Sequence, residues 1–301
     1  MKRIIAFGES LLDVIYGQDQ QAAVIPGGSV LNTSVSLARS GIEVQLMTEF
    51  APDGPGEVLR KFLLNEEINL DYSCIYADGK TSLAFAVLDD QAKASYTFYK
   101  QLPEKRFDIA LPDFDAASVF LFGSIASTSA ELETVLNKLL ANALAEDCII
   151  FYDPNFRKAA WSVDSALKRR IERNFSAADI IRGSDEDFVN LFGSSNIQEV
   201  WKQLKPSRDQ LLMITRGDQD VEVLSKHFHK KFPVNPTNVV STIGAGDAFN
   251  AGFLSALARN GYSKSTGRIL DEKLVGTCVQ QGIRYASAVC SSRLNYIPPG
   301  L

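Results

Sequence analysis

Apolar residues in this chain gather in short, dense runs at 4–7, 44–47, 119–122, 149–152, 180–181 and 211–214, rich in β-branched and aromatic types. Between most of these runs lie segments of helical period, at 31–39, 55–65, 130–144 and 166–175. Continuously apolar strands alternating with helices predict an α/β fold with a mainly parallel sheet covered on both faces. In such sheets ligands bind beyond the carboxyl ends of the strands. One region departs from the alternation. Residues 82–88 and 94–99 read as two strands joined by the polar turn Asp89-Asp90-Gln91. Residues 11–16 and 22–25 offer two more short strands. Together they predict a small β-sheet standing off the main body, suited to a lid or a dimer surface. No internal repeat or low-complexity linker is visible.

Composition narrows the function. With 301 residues, 46% of them hydrophobic, the chain can bury a large core. Charged residues make up 22% with both signs interspersed, a composition that gives no sign of extended disorder. A net charge of -5 argues against broad nucleic-acid or anionic-membrane binding, so an anionic substrate would be held by local amides and a few basic side chains. The start, Met1-Lys2-Arg3-Ile4-Ile5-Ala6-Phe7-Gly8-Glu9, is basic and then only briefly apolar, and reads as a first strand rather than a signal peptide. No stretch approaches the ~20 apolar residues of a membrane span. Cys74, Cys148, Cys278 and Cys290 are widely separated with no C-x-x-C pair, which favours reduced, structural cysteines in a cytoplasmic protein. His227 and His229, the only histidines, flank Phe228 and would share one face of a strand. Without a third ligand nearby they read as polar surface rather than a metal site. Acid–base chemistry therefore falls to carboxylates.

The candidate chemistry centres on Ser241-Thr242-Ile243-Gly244-Ala245-Gly246-Asp247, which runs straight into an apolar stretch. Gly244 and Gly246 permit a tight turn, and the helix beginning there adds unpaired amides and the positive end of its dipole, so the spot attracts an anion. A carboxylate would repel a merely bound phosphate. At a phosphoryl-transfer site it has a use: the amides stabilise charge on the moving group while Asp247 takes the proton from the attacking hydroxyl. Phe249 stands where the dinucleotide fingerprint needs its third glycine, and no Gly-Lys-Ser/Thr completes a Walker motif. Taken alone, Gly-Ala-Gly-Asp reads more readily as a plain strand-to-helix turn with Asp in its first turn.

A second glycine pair, in Pro26-Gly27-Gly28-Ser29-Val30-Leu31-Asn32, opens another helix. It lets a small ligand approach the backbone, and Asn32 offers both donor and acceptor to a hydroxylated molecule. Asp13 follows the first strand, where a carboxylate can accept two hydrogen bonds from adjacent sugar hydroxyls. Each feature taken singly reads equally as a glycine hinge, a helical Asn and a turn Asp.

In this order the pieces resemble the ribokinase/PfkB family of carbohydrate kinases nearly end to end. Gly8-Glu9-x-x-x-Asp13 and Gly27-Gly28-x-x-x-Asn32 are similar to the family's sugar-binding segment. Asp153-Pro154-Asn155-x-Arg157, with Trp161 after it, resembles the central segment of fructokinase-like members. Ser184-Asp185-Glu186-Asp187 sits where the family has its N-x-x-E element. Thr215-x-Gly217 resembles the nucleotide-side T-x-G turn, and Thr242 to Asp247 match the signature D-T-x-G-A-G-D.

The resemblance implies one Rossmann-like, ribokinase-like α/β domain over 1–301, with a β lid from about 11–25 and 72–102, and a homodimer formed through that lid. It implies Asp247 as general base, the amides of Gly244, Ala245 and Gly246 as anion hole, and Arg157 offsetting charge near the transferring phosphate beside Asn155. Asp13, Gly27, Gly28 and Asn32 would hold the sugar, with Phe98 and Lys100 contributed by the lid. Ser184, Thr215, Gly217, Thr242, Gly244 and Gly246 would face the nucleotide, with adenine near the helix around 282–289. ATP and Mg²⁺ are the implied cofactors, Mg²⁺ held by Asp187 through water. Ser241 replaces the first Asp of the signature, which in relatives helps build a monovalent-cation site, so potassium dependence stays open. Ser184 and Asp187 replace the usual Asn and Glu, and Lys100 stands where fructokinase-like relatives carry Arg. The aromatic lid strand and the scarcity of basic groups at the sugar end point to a neutral hexose, fructose first. Ribose and 2-keto-3-deoxygluconate kinases are the nearest alternatives, and a catalytically weak sugar-binding sensor is the rival of another class.

Overall fold

The structure is a computed structural model that describes residues 3–16, 22–88, 94–156, 165–235, 237–266 and 270–301. In chain order its strands are β1 (Ile4–Phe7), β2 (Leu11–Tyr16), β3 (Ala22–Gly27), β4 (Val44–Met47), β5 (Glu49–Phe50), β6 (Cys74–Ile75), β7 (Lys80–Leu88), β8 (Ala94–Gln101), β9 (Val119–Gly123), β10 (Ile149–Asp153), β11 (Ile180–Ser184), β12 (Leu211–Thr215), β13 (Val221–Ser225) and β14 (His229–Phe232). The helices are α1 (Ser29–Arg39), α2 (Gly54–Asn65), α3 (Ser124–Thr128), α4 (Glu133–Ala145), α5 (Ser165–Ala177), α6 (Asp185–Phe192), α7 (Ile197–Leu204), α8 (Ala245–Arg259) and α9 (Glu272–Cys290).

Eight strands form the main sheet in the order β14-β13-β12-β11-β10-β9-β1-β4. The run from β12 to β4 is parallel, and β13 and β14 add an antiparallel edge. The apolar runs are continuous because each strand feeds two cores. Ile149 and Phe151 point into one with α1, α2, α8 and α9, while Ile150 and Tyr152 point into the other with α4, α5, α6 and α7. Rings stack along the second face, Phe120 on Phe122 at 5.2 Å and Phe122 on Tyr152 at 4.7 Å. Burying large aromatics on both faces fixes the sheet rigidly, so the loops at its carboxyl edge start from well-determined points.

A separate four-stranded sheet, ordered β3-β2-β7-β8, is built from the strands expected for the lid. The expected turn Asp89-Asp90-Gln91 lies outside the described residues. Register places Asp13 opposite Ile25 and Ala84, and Ala84 opposite Phe98, so these side chains share one face of the sheet. Lys100, two residues beyond Phe98, falls on that face too. Two expectations need correction. The strand at 180–181 continues through the polar Arg182 to Ser184. The two histidines do not share a strand: His227 sits in the turn before β14, 3.5 Å from Asp209, while His229 opens β14 and lies 2.9 Å from Glu222. A tight β13–β14 connection takes up His227, and separate acidic partners engage the two rings.

Candidate active site

Two helix starts converge beyond the carboxyl ends of β1, β10 and β11. Gly28 caps α1, Gly244 caps α8, and the helices pack against each other. Their first turns join through side chains. Ser29 Oγ donates to Oδ1 of Asp247 at 2.6 Å and Asn32 Nδ2 donates to Oδ2 at 2.9 Å. Thr33 Oγ1 donates to the Asp247 carbonyl at 3.1 Å. Asp247 is buried, and this burial pushes its pKa up to about 6 against the pull of both hydrogen bonds; Asp153 adds to the rise and Arg182 opposes it. Such a carboxylate is a stronger base than an exposed one and still ionises near neutral pH. Asn32 Oδ1 is buried without a partner among the described residues, an acceptor free for a hydroxyl.

The turn before α8 requires its glycines. Gly244 has φ 79, and a Cβ there would lie 2.1 Å from the Asn295 carbonyl oxygen. A Cβ on Gly246 would lie 2.6 Å from the Arg182 guanidinium. Ala245 N–H closes the turn on the Thr242 carbonyl at 3.3 Å. The next amides, at the first turn of α8, have no intrahelical acceptor and present a positive helix end. Arg182 packs directly against this turn. It donates to Asp153 at 2.9 Å and to Thr215 Oγ1 at 2.6 Å, and its guanidinium lies 5.7 Å from the Phe249 ring centroid. Asp153 also accepts from Asn250 at 2.6 Å. Asn155, at φ 40, donates its amide to Asp153 Oδ1 at 3.0 Å. The sequence reading assigned no role to Arg182, Ser29 or Asn250, although an arginine ending an isoleucine run is a visible signal.

The remaining expected residues lie around this centre. Gly27 gives room to Asp13, because a Cβ there would lie 2.1 Å from its carboxylate. Thr215 ends β12, and Gly217 turns at φ 60 just beyond it. Ser184 caps α6 and exchanges hydrogen bonds with Asp187 in a capping box. Asp187 is nearly filled as an acceptor: Oδ2 takes the Ser184 amide at 2.7 Å and its hydroxyl at 2.6 Å, and Oδ1 takes the Phe156 amide at 2.6 Å. Burial, then the nearby Asp153, raises its pKa. Phe98 is exposed at 58% of its surface. Lys100 is exposed along its length, yet partial desolvation of its ammonium and the nearby Arg106 lower its pKa. Arg157 and Trp161 lie outside the described residues. Of the 282–289 stretch in α9, Gly282, Ile283, Tyr285 and Val289 face the interior, with a Cβ on Gly282 only 2.8 Å from Phe249. Among the described residues no group of three His, Cys, Asp or Glu side chains converges as a ready-made metal site, and no helix is long and apolar enough to cross a membrane.

The chain as a whole is similar to known proteins in sequence and in fold. Residues 1–298 match the pfkB family carbohydrate kinase. Fructokinase of Klebsiella pneumoniae is 27% identical, covering 92% of this chain and 91% of that protein. Probable fructokinase-5 of Arabidopsis thaliana is 26% identical, covering 98% and 93%. Among solved structures, fructokinase with bound ATP from Xylella fastidiosa superposes with a TM-score of 0.84 at 22% identity, covering 99% of this chain and 96% of that one. Aminoimidazole riboside kinase from Salmonella enterica, complexed with aminoimidazole riboside and an ATP analog, gives 0.82 at 20% identity, covering 97% and 95%.

Proposed function

The chain belongs to the pfkB family of carbohydrate kinases, and from that premise we propose that it transfers the γ-phosphoryl group of ATP to a hydroxyl of fructose. The observation that carries the reading is the buried Asp247 carboxylate, clamped by Ser29 and Asn32 at the first turn of a helix that opens on a glycine anion site. Fructokinases recur among the sequence relatives, and among similar solved structures a fructokinase from Xylella fastidiosa has ATP bound.

The sugar would lie between the smaller sheet and the α1 start, its hydroxyls meeting Asp13, Asn32 and the backbone at Gly27 and Gly28, with Phe98 and Lys100 on the same sheet face. Asp247 would take the proton of the attacking hydroxyl while the oxygen attacks phosphorus. The amides of Gly244 and Gly246 would stabilise the oxygens of the moving group; that of Ala245, expected to join them, is taken by the Thr242 carbonyl, and Arg182 packs against the turn. Asn155 and Arg157 would approach the transferring phosphate from the β10 side. Ser184, Thr215, Gly217 and Thr242 would face the nucleotide. Val239, Val240 and Ile243, exposed beside the end of α9, supply an apolar surface for the adenine.

The charge balance fits a cation. Among the described residues Asp153, Asp187 and Asp247 are buried around the Arg182 guanidinium, so carboxylates outnumber cations where a polyphosphate would lie. Asp187 has three donors among the described residues on its two oxygens, which leaves one of their four lone-pair sites for a further donor. Mg²⁺ held through a water there would neutralise phosphate charge without demanding a protein cage. Ser241 offers only a hydroxyl, already accepting from the Ile243 amide at 3.2 Å, where the signature has a carboxylate, so a monovalent cation would find weaker ligation there.

We further propose one domain over 1–301, with the smaller sheet closing over the sugar and pairing with that of a second copy. Exposed Tyr16, Val24 and Tyr99 on its other face support a partner. Four free cysteines support a reducing, cytoplasmic setting. A coupled ADP-release assay across fructose, ribose, 2-keto-3-deoxygluconate, adenosine and fructose phosphates tests the substrate. Turnover of fructose far above the others is expected, and turnover confined to another acceptor overturns it.

A further inference from the structure

A second charged cluster lies at the carboxyl edge of the neighbouring strands and takes no part in phosphoryl transfer. Glu49 follows β4, Glu9 follows β1, and Glu131 lies between α3 and α4 beyond β9; facing them are Lys100 of β8 and Arg106 just after that strand. The cluster borders the sugar end of the cleft. The Glu9 carbonyl lies against Gly28, where a Cβ would come within 2.4 Å of its oxygen, and Lys100 shares the sheet face of Asp13 and Phe98.

Arg106 is the group best suited to bind a carboxylate or phosphate there, because its planar fork matches either anion. The fork is already used. Arg106 Nε donates to Glu49 Oε2 at 2.8 Å, a second nitrogen of the guanidinium bonds Glu49 Oε1, and both side chains are almost wholly buried, at 3% and 5% exposure. Glu9 and Glu131 then offset Lys100, leaving three carboxylates against two cations. Glu9 accepts from the Ala126 amide at 3.0 Å, and the exposed Glu131 accepts from the Ser129 hydroxyl.

We propose that Glu49 sets the charge class of the substrate: by holding Arg106 in a buried two-pronged pair, it leaves this end of the cleft no free guanidinium among the described residues for an anionic sugar, and the site accepts uncharged sugars while rejecting sugar acids and sugar phosphates. Glu49 acts through Arg106 and is a positioning residue. The inference rests on the sugar-kinase reading above, but its test does not depend on turnover.

Titration calorimetry compares fructose and 2-keto-3-deoxygluconate binding to the parent, to Glu49→Gln and to Glu49→Gln/Arg106→Gln. The parent should bind fructose at least about tenfold more tightly than the acid, the scale of one charge-assisted hydrogen bond. Glu49→Gln frees the fork and should shrink that ratio about tenfold, chiefly by tighter acid binding; the double variant should restore it. Equal binding of both ligands by the parent, binding of neither, or an unchanged ratio in folded Glu49→Gln overturns the proposal. Should Glu49→Gln not fold, Glu49→Asp, too short to hold both prongs, takes its place and should shift the ratio in the same direction; no shift overturns it. ADP release measured on the same samples separates the two readings: fructose bound but never phosphorylated removes the kinase assignment while the binding ratio still decides the role of Glu49.

Discussion

Asn32 in the first helix donates a 2.9 Å hydrogen bond to the carboxylate of Asp247, 215 positions further along the chain. One residue expected to hold the sugar therefore also orients the expected base. Its carboxamide oxygen remains without a partner, so Asn32 can touch substrate and base at once. Asn32→Ala should raise KM for the sugar and lower kcat together, whereas a residue serving only to bind would move KM alone. Steady-state kinetics with fructose at saturating ATP make the distinction.

The pH profile follows from the same environment. Burial raises the Asp247 pKa to about 6, and the base must be ionised to accept a proton. The kcat/KM for sugar should be level above pH 7 and fall about tenfold per pH unit below 6. A profile flat down to pH 5 would show that another group takes the proton.

Stability should run the other way for this group. Its folded pKa lies above the ordinary 3.8, so the folded state binds the extra proton: the stabilisation is fully present below 3.8 and is lost as pH rises through about 6. Asp247→Asn carries no such loss. Relative to the parent, the variant should gain roughly 2–3 kcal/mol between pH 4 and pH 8, read from paired urea titrations. A constant difference across that range contradicts a buried, strained carboxylate.

Arg182→Met should unfold the site rather than merely slow it. The change leaves the Asp153 carboxylate, buried to 2% exposure, without its ion-pair partner. The expected loss is roughly 3–5 kcal/mol, and Asp153→Asn added to it should recover part of that. Urea denaturation of both variants checks the order. If single and double variants lose the same stability, the pair does not carry the site.

Gly244→Ala tests the anion turn. A methyl group is strained at φ 79 and collides with the Asn295 carbonyl. Moving these amides should lower kcat by ~10²–10³ while sugar affinity, set at the other helix start, stays close to that of the parent. A KM effect with kcat intact would place the turn outside the transfer step.

Much of this centre was legible in the sequence because its parts are local. Gly244-Ala245-Gly246-Asp247 and Gly27-Gly28-x-x-x-Asn32 each form one turn and the start of one helix, and a tight turn leaves its mark in adjacent glycines. The two-sided sheet was legible too, since strands feeding two cores must be apolar throughout, as Ile149 to Tyr152 are. What escaped were the side-chain partnerships made across strands. Arg182 reads as the polar end of a strand until Asp153 and Thr215 from its two neighbours close on it. Glu49 and Arg106, 57 positions apart, look like surface charges until the loop after β8 folds back beside β5. Asp187 shows the converse: its place in the segment matching the N-x-x-E element was visible, but the capping box with Ser184 and the Phe156 amide that fills it were not. Side-chain partnerships between distant loops have no period and no spacing, so only the folded chain reveals them.

The central claim is that Asp247 removes the proton from the sugar hydroxyl, and turnover of Asp247→Asn at saturating fructose and ATP tests it most directly. The variant keeps the shape of the side chain and removes its basicity. A fall of ~10²–10⁴ in kcat, with fructose still bound by calorimetry, is the predicted result; phosphorylation at the parent rate would contradict it.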